Sequence, residues 1–285
     1  MHTLADLLNE AAARLEDASD TPRLDAELLL AHALGRGRSH LRAYPEALPS
    51  AEQARVFGQL LAARARGEPI AYLTGKREFW SLELDVTPAT LIPRPETELL
   101  VEQALARIPP GVALDMLDLG TGSGAIAIAV AKERPRCRVT ATDFSAEALR
   151  VAAGSAVRLG LTDLEFLQGA WFVPVAGRRF HVVVSNPPYV AEGDPHLDEG
   201  DLRFEPVTAL SSGEDGLKDI RHIVAAAPAH LHAGGVLLLE HGLDQGTAVR
   251  GLLEAAGFTH TRTFQDLAGR DRVSGGDWAN PAATG

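Results

Sequence analysis

Met116-Leu117-Asp118-Leu119-Gly120-Thr121-Gly122-Ser123-Gly124, residues 116–124, passes from a short apolar stretch into a glycine loop, and an Ala- and Ile-rich run follows as far as Arg134. Strand, glycine turn and helix in that order open a parallel α/β sheet. Glycines at such a turn let the backbone approach a ligand closely, and the free N–H groups at the helix start favour an anionic group. The alternation continues downstream with a strand over 139–142, a helix over 146–159, and strands over 164–167, 180–184, 236–239 and 258–263. Val182-Val183-Val184 and Val236-Leu237-Leu238-Leu239 are apolar without alternation, as strands covered on both faces must be. A doubly wound, mostly parallel α/β sheet is the expectation.

Upstream the period is helical. Leu4, Leu7, Leu8, Ala11 and Leu15 share one face behind a capping Thr3. Thr21 before Pro22 reads as an N-cap, with Gly35 as the stop. Ser50-Ala51-Glu52-Gln53 reads as a capping box ahead of Phe57, Leu60 and Leu61, and Gly67 ends that helix. From Gly75 the period changes to two, with Leu82, Leu84 and Val86 alternating with acidic residues, as in a short β-hairpin. Pro88 and Pro93-Arg94-Pro95 interrupt regular structure before a helix begins near Glu96. The expected organisation is a small helical bundle over 1–74, a hairpin linker over 75–95 and the α/β domain over 96–285, with fraying after Trp278.

With 285 residues, 46% of them apolar, the chain has enough material for one large core or two smaller ones. Its 27 Lys and Arg against 38 Asp and Glu leave a net charge of −11, which disfavours broad, non-specific binding to nucleic acid. Cys137, the single cysteine, forms no internal disulfide and reads as a small buried side chain. The N-terminus lacks a signal pattern and no apolar run reaches membrane-spanning length, so no membrane association and a cytoplasmic location are expected.

Two motifs carry chemistry. Asp143 ends the strand after the glycine loop, where a carboxylate can accept both hydroxyls of a ribose; loop and acid together describe a nucleoside pocket. The loop alone leaves the nucleoside open, since Gly120, Gly122 and Ala125 also satisfy a dinucleotide fingerprint. Ser185-Asn186-Pro187-Pro188-Tyr189 follows the Val182-Val183-Val184 strand at the same edge of the sheet. Asn-Pro commonly starts a rigid turn, but the functional reading explains more. A planar –NH2 group needs two in-plane acceptors, which the Asn186 side-chain carbonyl and the Pro187 backbone carbonyl can supply, while Tyr189 offers a face to stack upon.

These residues resemble those of the Asn-Pro-Pro-Tyr amino-methyltransferases that use S-adenosylmethionine. Within that group the chain is most similar to the peptide chain release factor N5-glutamine methyltransferases, the PrmC/HemK family. The likeness includes Gly67-Glu68-Pro69-Ile70-Ala71-Tyr72-Leu73-Thr74-Gly75, Leu91-Ile92-Pro93-Arg94-Pro95-Glu96-Thr97-Glu98, Glu205-Pro206, Gly213-Glu214-Asp215-Gly216-Leu217, and residues 266–272. It implies a Rossmann-like class I methyltransferase with S-adenosyl-L-methionine as cofactor and class-1 peptide chain release factors as protein substrate. By the same resemblance Gly120, Thr121, Gly122, Ser123 and Gly124 hold the methionine part of the cofactor, Asp143 the ribose, and Trp171 lies beside the adenine. Asn186, also near the cofactor, would grip the glutamine amide with Pro187, Pro188 and Tyr189; Asn186, Pro187 and Tyr189 would be the catalytic group. The helices over 1–74 would dock the large substrate.

Moving a methyl from sulfonium to an amide nitrogen makes positive charge grow on that nitrogen, and two fixed carbonyls can align its lone pair and stabilise the charge. No proton acceptor is identified. Adenine-N6 methylation of DNA or RNA is the alternative reading, because an exocyclic base amine suits the same acceptors. The acidic balance favours a protein partner, with no direct nucleic-acid contact expected. A nicotinamide oxidoreductase rests on the fingerprint alone. No metal is expected: His230 and His232 lack a recognisable ligand spacing. Ser123 is in no nucleophile elbow. The acidic stretch over 192–201 reads as a solvated loop, and 187–216 is long enough for a functional lid.

Overall fold

The structure, a computed structural model, describes residues 2–279. Two compact units result: one from the chain up to Lys76 together with Asp198–Phe204, the other from Arg77–Leu197 and the chain from Glu205 on. The tail in which fraying was expected lies outside the described residues apart from Ala279.

The first unit is helical: α1 (Leu4–Arg14), α2 (Pro22–Leu34), α3 (Arg38–Ala43), α4 (Ala51–Ala65) and α5 (Ile70–Thr74). Capping boxes close the starts of α1, by Thr3 with Asp6, and α4, by Ser50 with Gln53. Thr21 stands before α2, but its hydroxyl donates to Asp25 Oδ1 at 3.3 Å and caps no helix N–H. Leu4, Leu8, Leu15, Leu29, Leu30 and Phe57 meet in one core. Largely buried Arg64 donates to Asp25 at 2.7 Å and to Asp201 at 3.2 Å, which ties the Asp198–Phe204 segment into this unit. Helices α3 and α5 have six and five residues, too few for a periodic signal to reveal.

The second unit begins at Arg77, within the hairpin of β1 (Lys76–Phe79) and β2 (Leu82–Asp85). Trp80 and Ser81 form its turn at φ of 53° and 56°, the left-handed geometry that matches strand twist in a two-residue loop. Glu98 Oε1 accepts from the Trp80 backbone N–H at 2.9 Å, and Glu133 Oε1 from the indole N–H at 3.0 Å, holding this costly turn in place. There follow α6 (Glu98–Arg107), β3 (Asp115–Leu119), α7 (Ala125–Glu133), β4 (Arg138–Asp143), α8 (Ala146–Arg158), β5 (Glu165–Gln168) and β6 (Phe180–Ser185). The unit continues with α9 (Lys218–Ala226), β7 (Leu231–Glu240), α10 (Gly246–Ala255), β8 (Phe258–Gln265) and β9 (Asp271–Trp278).

Among the described residues the large sheet has seven strands in the order β5-β4-β3-β6-β7-β9-β8. From β5 to β7 the neighbours are parallel; β9 enters antiparallel between β7 and β8. Alternate strand residues serve opposite cores. Met116, Val182, Val184 and Leu238 pack on the α6 and α7 side, whereas Leu117, Val183, Leu237 and Leu239 pack on the α9 and α10 side. Burial on both faces is why these strands read as unbroken apolar runs. The chain leaves β3 towards β4 and leaves β6 towards β7, in opposite directions across the sheet. A crevice therefore opens outside the carboxyl ends of β3 and β6, where open α/β sheets bind ligands.

Strand β9 had no sequence signature. Its Gly275 lies so close to β7 that a Cβ would come within 2.6 Å of Leu238 Cδ2 and 2.7 Å of the Leu237 carbonyl oxygen. The close approach that places β9 inside the sheet thus demands a residue that strand propensity disfavours. The segment over 187–216 is pinned at its base by a bridge between Val190 and Ser211. Glu205 anchors it further, accepting from the Ile92 N–H at 2.9 Å and pairing with Arg94.

Candidate active site

Register creates the site. Leu119 pairs with Ser185 at the ends of β3 and β6, and the Ser185 hydroxyl donates to the Leu119 carbonyl at 2.7 Å. The next residue in each strand begins a motif, the glycine loop after Leu119 and Asn186 after Ser185. Both open on a cavity of about 730 Å³, large enough for a nucleoside with an amino-acid tail and a reacting side chain.

Gly120, Thr121, Gly122 and Ser123 line this cavity, with Asp143, Phe144, Trp171, Asn186 and Pro188. Gly124, Pro187 and Tyr189 each neighbour a lining residue in the chain. Gly124 caps α7 at φ 83°, where a Cβ would meet Ala152 Cβ and Ile128 Cδ1 at 2.9 Å each. Pro187 is buried, and Tyr189 packs on the α9 side of the core with its hydroxyl 3.5 Å from Glu240 Oε1. Tyr189 is thus not presented as an open stacking face.

The loop is held against β4 by the N–H groups of Gly120 and Thr121, which donate to the Thr142 carbonyl at 2.9 and 3.0 Å. Asp143 is fixed from two sides: Gly122 N–H donates to Oδ2 and Ser145 N–H to Oδ1, both at 2.8 Å. Burial raises the Asp143 pKa and these two donors work against it. Each carboxylate oxygen retains a further lone pair, so two neighbouring hydroxyls can still be accepted. Beneath the loop, wholly buried Asp118 accepts from the Thr121 hydroxyl at 2.7 Å, while its Oδ1 has no partner among the described residues. Desolvation pushes Asp118 up to about 7, against the Thr121 hydrogen bond. Trp171, at φ 47°, sets its ring beside Gly120, where a Cβ would come within 3.3 Å of Cζ3. A glycine loop, a carboxylate with free lone pairs and flat side chains on one cavity suit S-adenosylmethionine.

Several lining residues carry no local signal. Phe144 is 78% exposed beside the cavity, an apolar ring left open to solvent next to Asp143. Thr97 is buried and accepts from Asn186 Nδ2 at 3.2 Å. Arg94, Pro206, Thr208, Ala209 and Lys218 also line the cavity. Arg94, Thr97 and Glu205-Pro206 sit in stretches the family resemblance highlights; Phe144 is an ordinary residue type that only the fold brings to the cavity. His230 stacks on Phe172 at 4.5 Å, and His232 lies 4.4 Å from His181. His181 and His232 form a cluster with Asp115, whose carboxylate is already engaged by both Nε and Nη2 of Arg138 at 2.7 Å.

The fold and the cavity define a class I S-adenosylmethionine-dependent methyltransferase. The family model for the PrmC N-terminal domain matches residues 6–75, and that for the methyltransferase small domain residues 95–200. A release factor glutamine methyltransferase of Pseudomonas aeruginosa is 52% identical over 279 residues, 98% of this chain and 100% of that one. The Escherichia coli K12 protein of the same name is 50% identical, covering 94% of this chain and 96% of its own. Among solved structures, the Thermus thermophilus 16S rRNA N2 G1207 methyltransferase in complex with AdoMet and guanosine superposes with a TM-score of 0.51 at 20% identity, over 71% of this chain and 49% of that one. The chain belongs to the release factor glutamine methyltransferase family.

Proposed function

We propose that the enzyme methylates the side-chain amide nitrogen, N5, of the glutamine in the Gly-Gly-Gln motif of class-1 peptide chain release factors. The observation that carries this reading is the Leu119–Ser185 register, which sets the cofactor loop and Asn186 on one cavity. When bound, S-adenosylmethionine supplies an electrophilic methyl group on a sulfonium. Gly120, Thr121, Gly122 and Ser123 would hold its methionine part, Asp143 its ribose, and Phe144 and Trp171 its adenine. Gly124 supports the loop from behind.

Asn186 Oδ1 and the Pro187 carbonyl accept the two N–H groups of the glutamine amide, and Pro188 forms the wall it lies on. Tyr189 braces that turn from the core side. Fixed acceptors hold the nitrogen lone pair towards the methyl and stabilise positive charge as it develops, with no reorganisation at the moment of reaction. The first, helical unit docks the release factor, and the whole takes place in the cytoplasm; no helix of the described residues is long and apolar enough to cross a membrane.

Mass spectrometry of a purified release factor incubated with enzyme and S-adenosylmethionine tests this directly. One added methyl on the Gly-Gly-Gln glutamine is the expected result. An unmodified factor, with methyl found on adenine of added nucleic acid, would overturn it.

A further inference from the structure

Seven large apolar side chains stand exposed in the second unit, among the described residues, and they are not spread evenly. Four lie in connections that leave the carboxyl edge of the sheet: Phe144 after β4, Val207 between β6 and α9, Leu243 after β7 and Leu267 after β8. Phe144 lines the cavity, and Val207 falls in the chain between the lining residues Pro206 and Thr208. Leu243 and Leu267 do neither, and they belong to no apolar core. Exposed apolar residues that gather at one edge, rather than standing singly, mark a contact surface.

Leu267 is fully exposed in the turn that joins β8 to β9. The backbone beneath it is fixed. The Asp266 carboxylate accepts from the Ala268 and Arg270 N–H groups at 2.9 Å each and from Arg272 Nε at 3.1 Å. Asp266 N–H donates to the Arg270 carbonyl, and Gly269 N–H, at a residue with φ of 74°, donates to the Asp266 carbonyl, both at 2.9 Å. This turn is tied to the site. The Arg272 carbonyl accepts from the His241 N–H at 2.9 Å, and the loop that starts at His241 carries Leu243. Gln245 closes that loop, accepting from the Gly242 N–H at 2.9 Å, and donates its side-chain amide to the Tyr189 carbonyl at 3.0 Å. A run of hydrogen bonds therefore connects both leucine-bearing segments to the Asn186-Pro187-Pro188-Tyr189 turn.

We propose that Leu243 and Leu267 form an apolar docking ridge for the folded release factor, beside the cavity that takes its glutamine. This deepens the proposed function and rests on the release factor being the substrate. The ridge stands on the edge of the sheet where the cavity opens, and its backbone is bonded to the turn that grips the glutamine in the proposed function. A protein seated there is the one whose side chain fills the cavity. Aliphatic side chains neither neutralise phosphate nor stack on bases, so the ridge suits an apolar protein patch and not a nucleic acid. A leucine held out on a fixed turn gives up little conformational freedom when covered, and its burial counts towards affinity.

Steady-state kinetics with a purified release factor at saturating S-adenosylmethionine, with cofactor titration calorimetry, thermal melts and sedimentation, test the ridge in the full-length enzyme. Leu267→Asp should raise release-factor KM by roughly 10- to 100-fold, the worth of burying a leucine side chain, with kcat and cofactor Kd within about twofold of the parent. Leu243→Asp should shift KM the same way. Leu267→Met, which keeps an apolar side chain, should stay near the parent, as should Val157→Asp, an exposed site in the last turn of α8. A parental KM in either folded leucine-to-aspartate variant, a fall in kcat at unchanged KM, or a Val157→Asp as impaired as Leu267→Asp overturns the ridge. Should Leu267→Asp fail to fold, Leu267→Ala decides, and a parental KM defeats the idea. A parent dimer that Leu267→Asp turns into a monomer would give the ridge to a second copy and overturn it too. If the parent leaves the release factor unmethylated, the proposed function itself fails; if the parent methylates it and Leu267→Asp keeps the parental KM, only the ridge does.

Discussion

Ser185 donates its hydroxyl proton to the carbonyl of Leu119 across 2.7 Å, joining two strands whose sequences lie 66 residues apart. Neither side chain needs to touch a ligand, yet their bond sets the distance between the residues that follow. Gly120 and Asn186, each the next residue beyond its strand, are consequently placed by backbone register, which rigid elements hold more precisely than loops do.

Asn186→Ala should abolish methylation of the release factor while leaving S-adenosylmethionine affinity within about threefold, because in the proposed function the residue acts on the growing charge. Radiolabel transfer and calorimetry on the same preparation check both halves. Substantial turnover would remove Asn186 from the mechanism.

Asp143→Ala removes an acceptor that two backbone N–H groups hold in place. Cofactor binding should weaken by about 1.5–3 kcal/mol, the usual range for hydrogen bonds to a charged group. Calorimetric titration with S-adenosylhomocysteine reads this, and an unchanged Kd would contradict the ribose role.

Gly124→Ala places a Cβ 2.9 Å from both Ala152 Cβ and Ile128 Cδ1 at a φ of 83°. Strain and overpacking together should cost about 1–3 kcal/mol. The loss should appear as a lower urea midpoint with the same slope.

Glu205→Ala leaves Arg94 and the Ile92 N–H without their acceptor, at a carboxylate whose side chain is fully buried. Losing a hydrogen bond and ion pair to a buried carboxylate typically costs about 1–3 kcal/mol, so this variant should unfold at clearly lower denaturant than an exposed-pair control such as Glu52→Ala. Equal midpoints would show that the Arg94–Glu205 pair does not stabilise the cavity wall.

Asp118 has a folded-state pKa of about 7 against an ordinary 3.8. Its protonated form is favoured on folding, so its contribution to stability is present below the unfolded value and is lost as pH rises through the folded one. Asp118→Asn, which cannot ionise, should therefore gain on the parent between acid and mildly alkaline buffer. Thermal melts at roughly pH 5 and pH 8 measure the gap, and a gap that does not move would mean that Asp118 titrates normally.

Strand and helix types, the glycine turn, Asp143 and the Asn-Pro-Pro-Tyr stretch were determined by the amino-acid sequence itself. Each depends on local physics: the period of burial, backbone freedom at glycine, or the stiffness of consecutive prolines. Other features were decided by tertiary structure. Nothing near residue 275 announces that β9 lies inside the sheet, because the glycine that permits it disfavours a strand on its own. Tyr189 is part of a legible motif, but packing turns it to the core. The contact of Thr97 with Asn186 and the place of Phe144 beside the cavity arise only when strand order brings distant segments to one edge. Strand order follows from covering both faces of a twisted sheet with right-handed crossovers, a condition on the whole chain that no single segment contains.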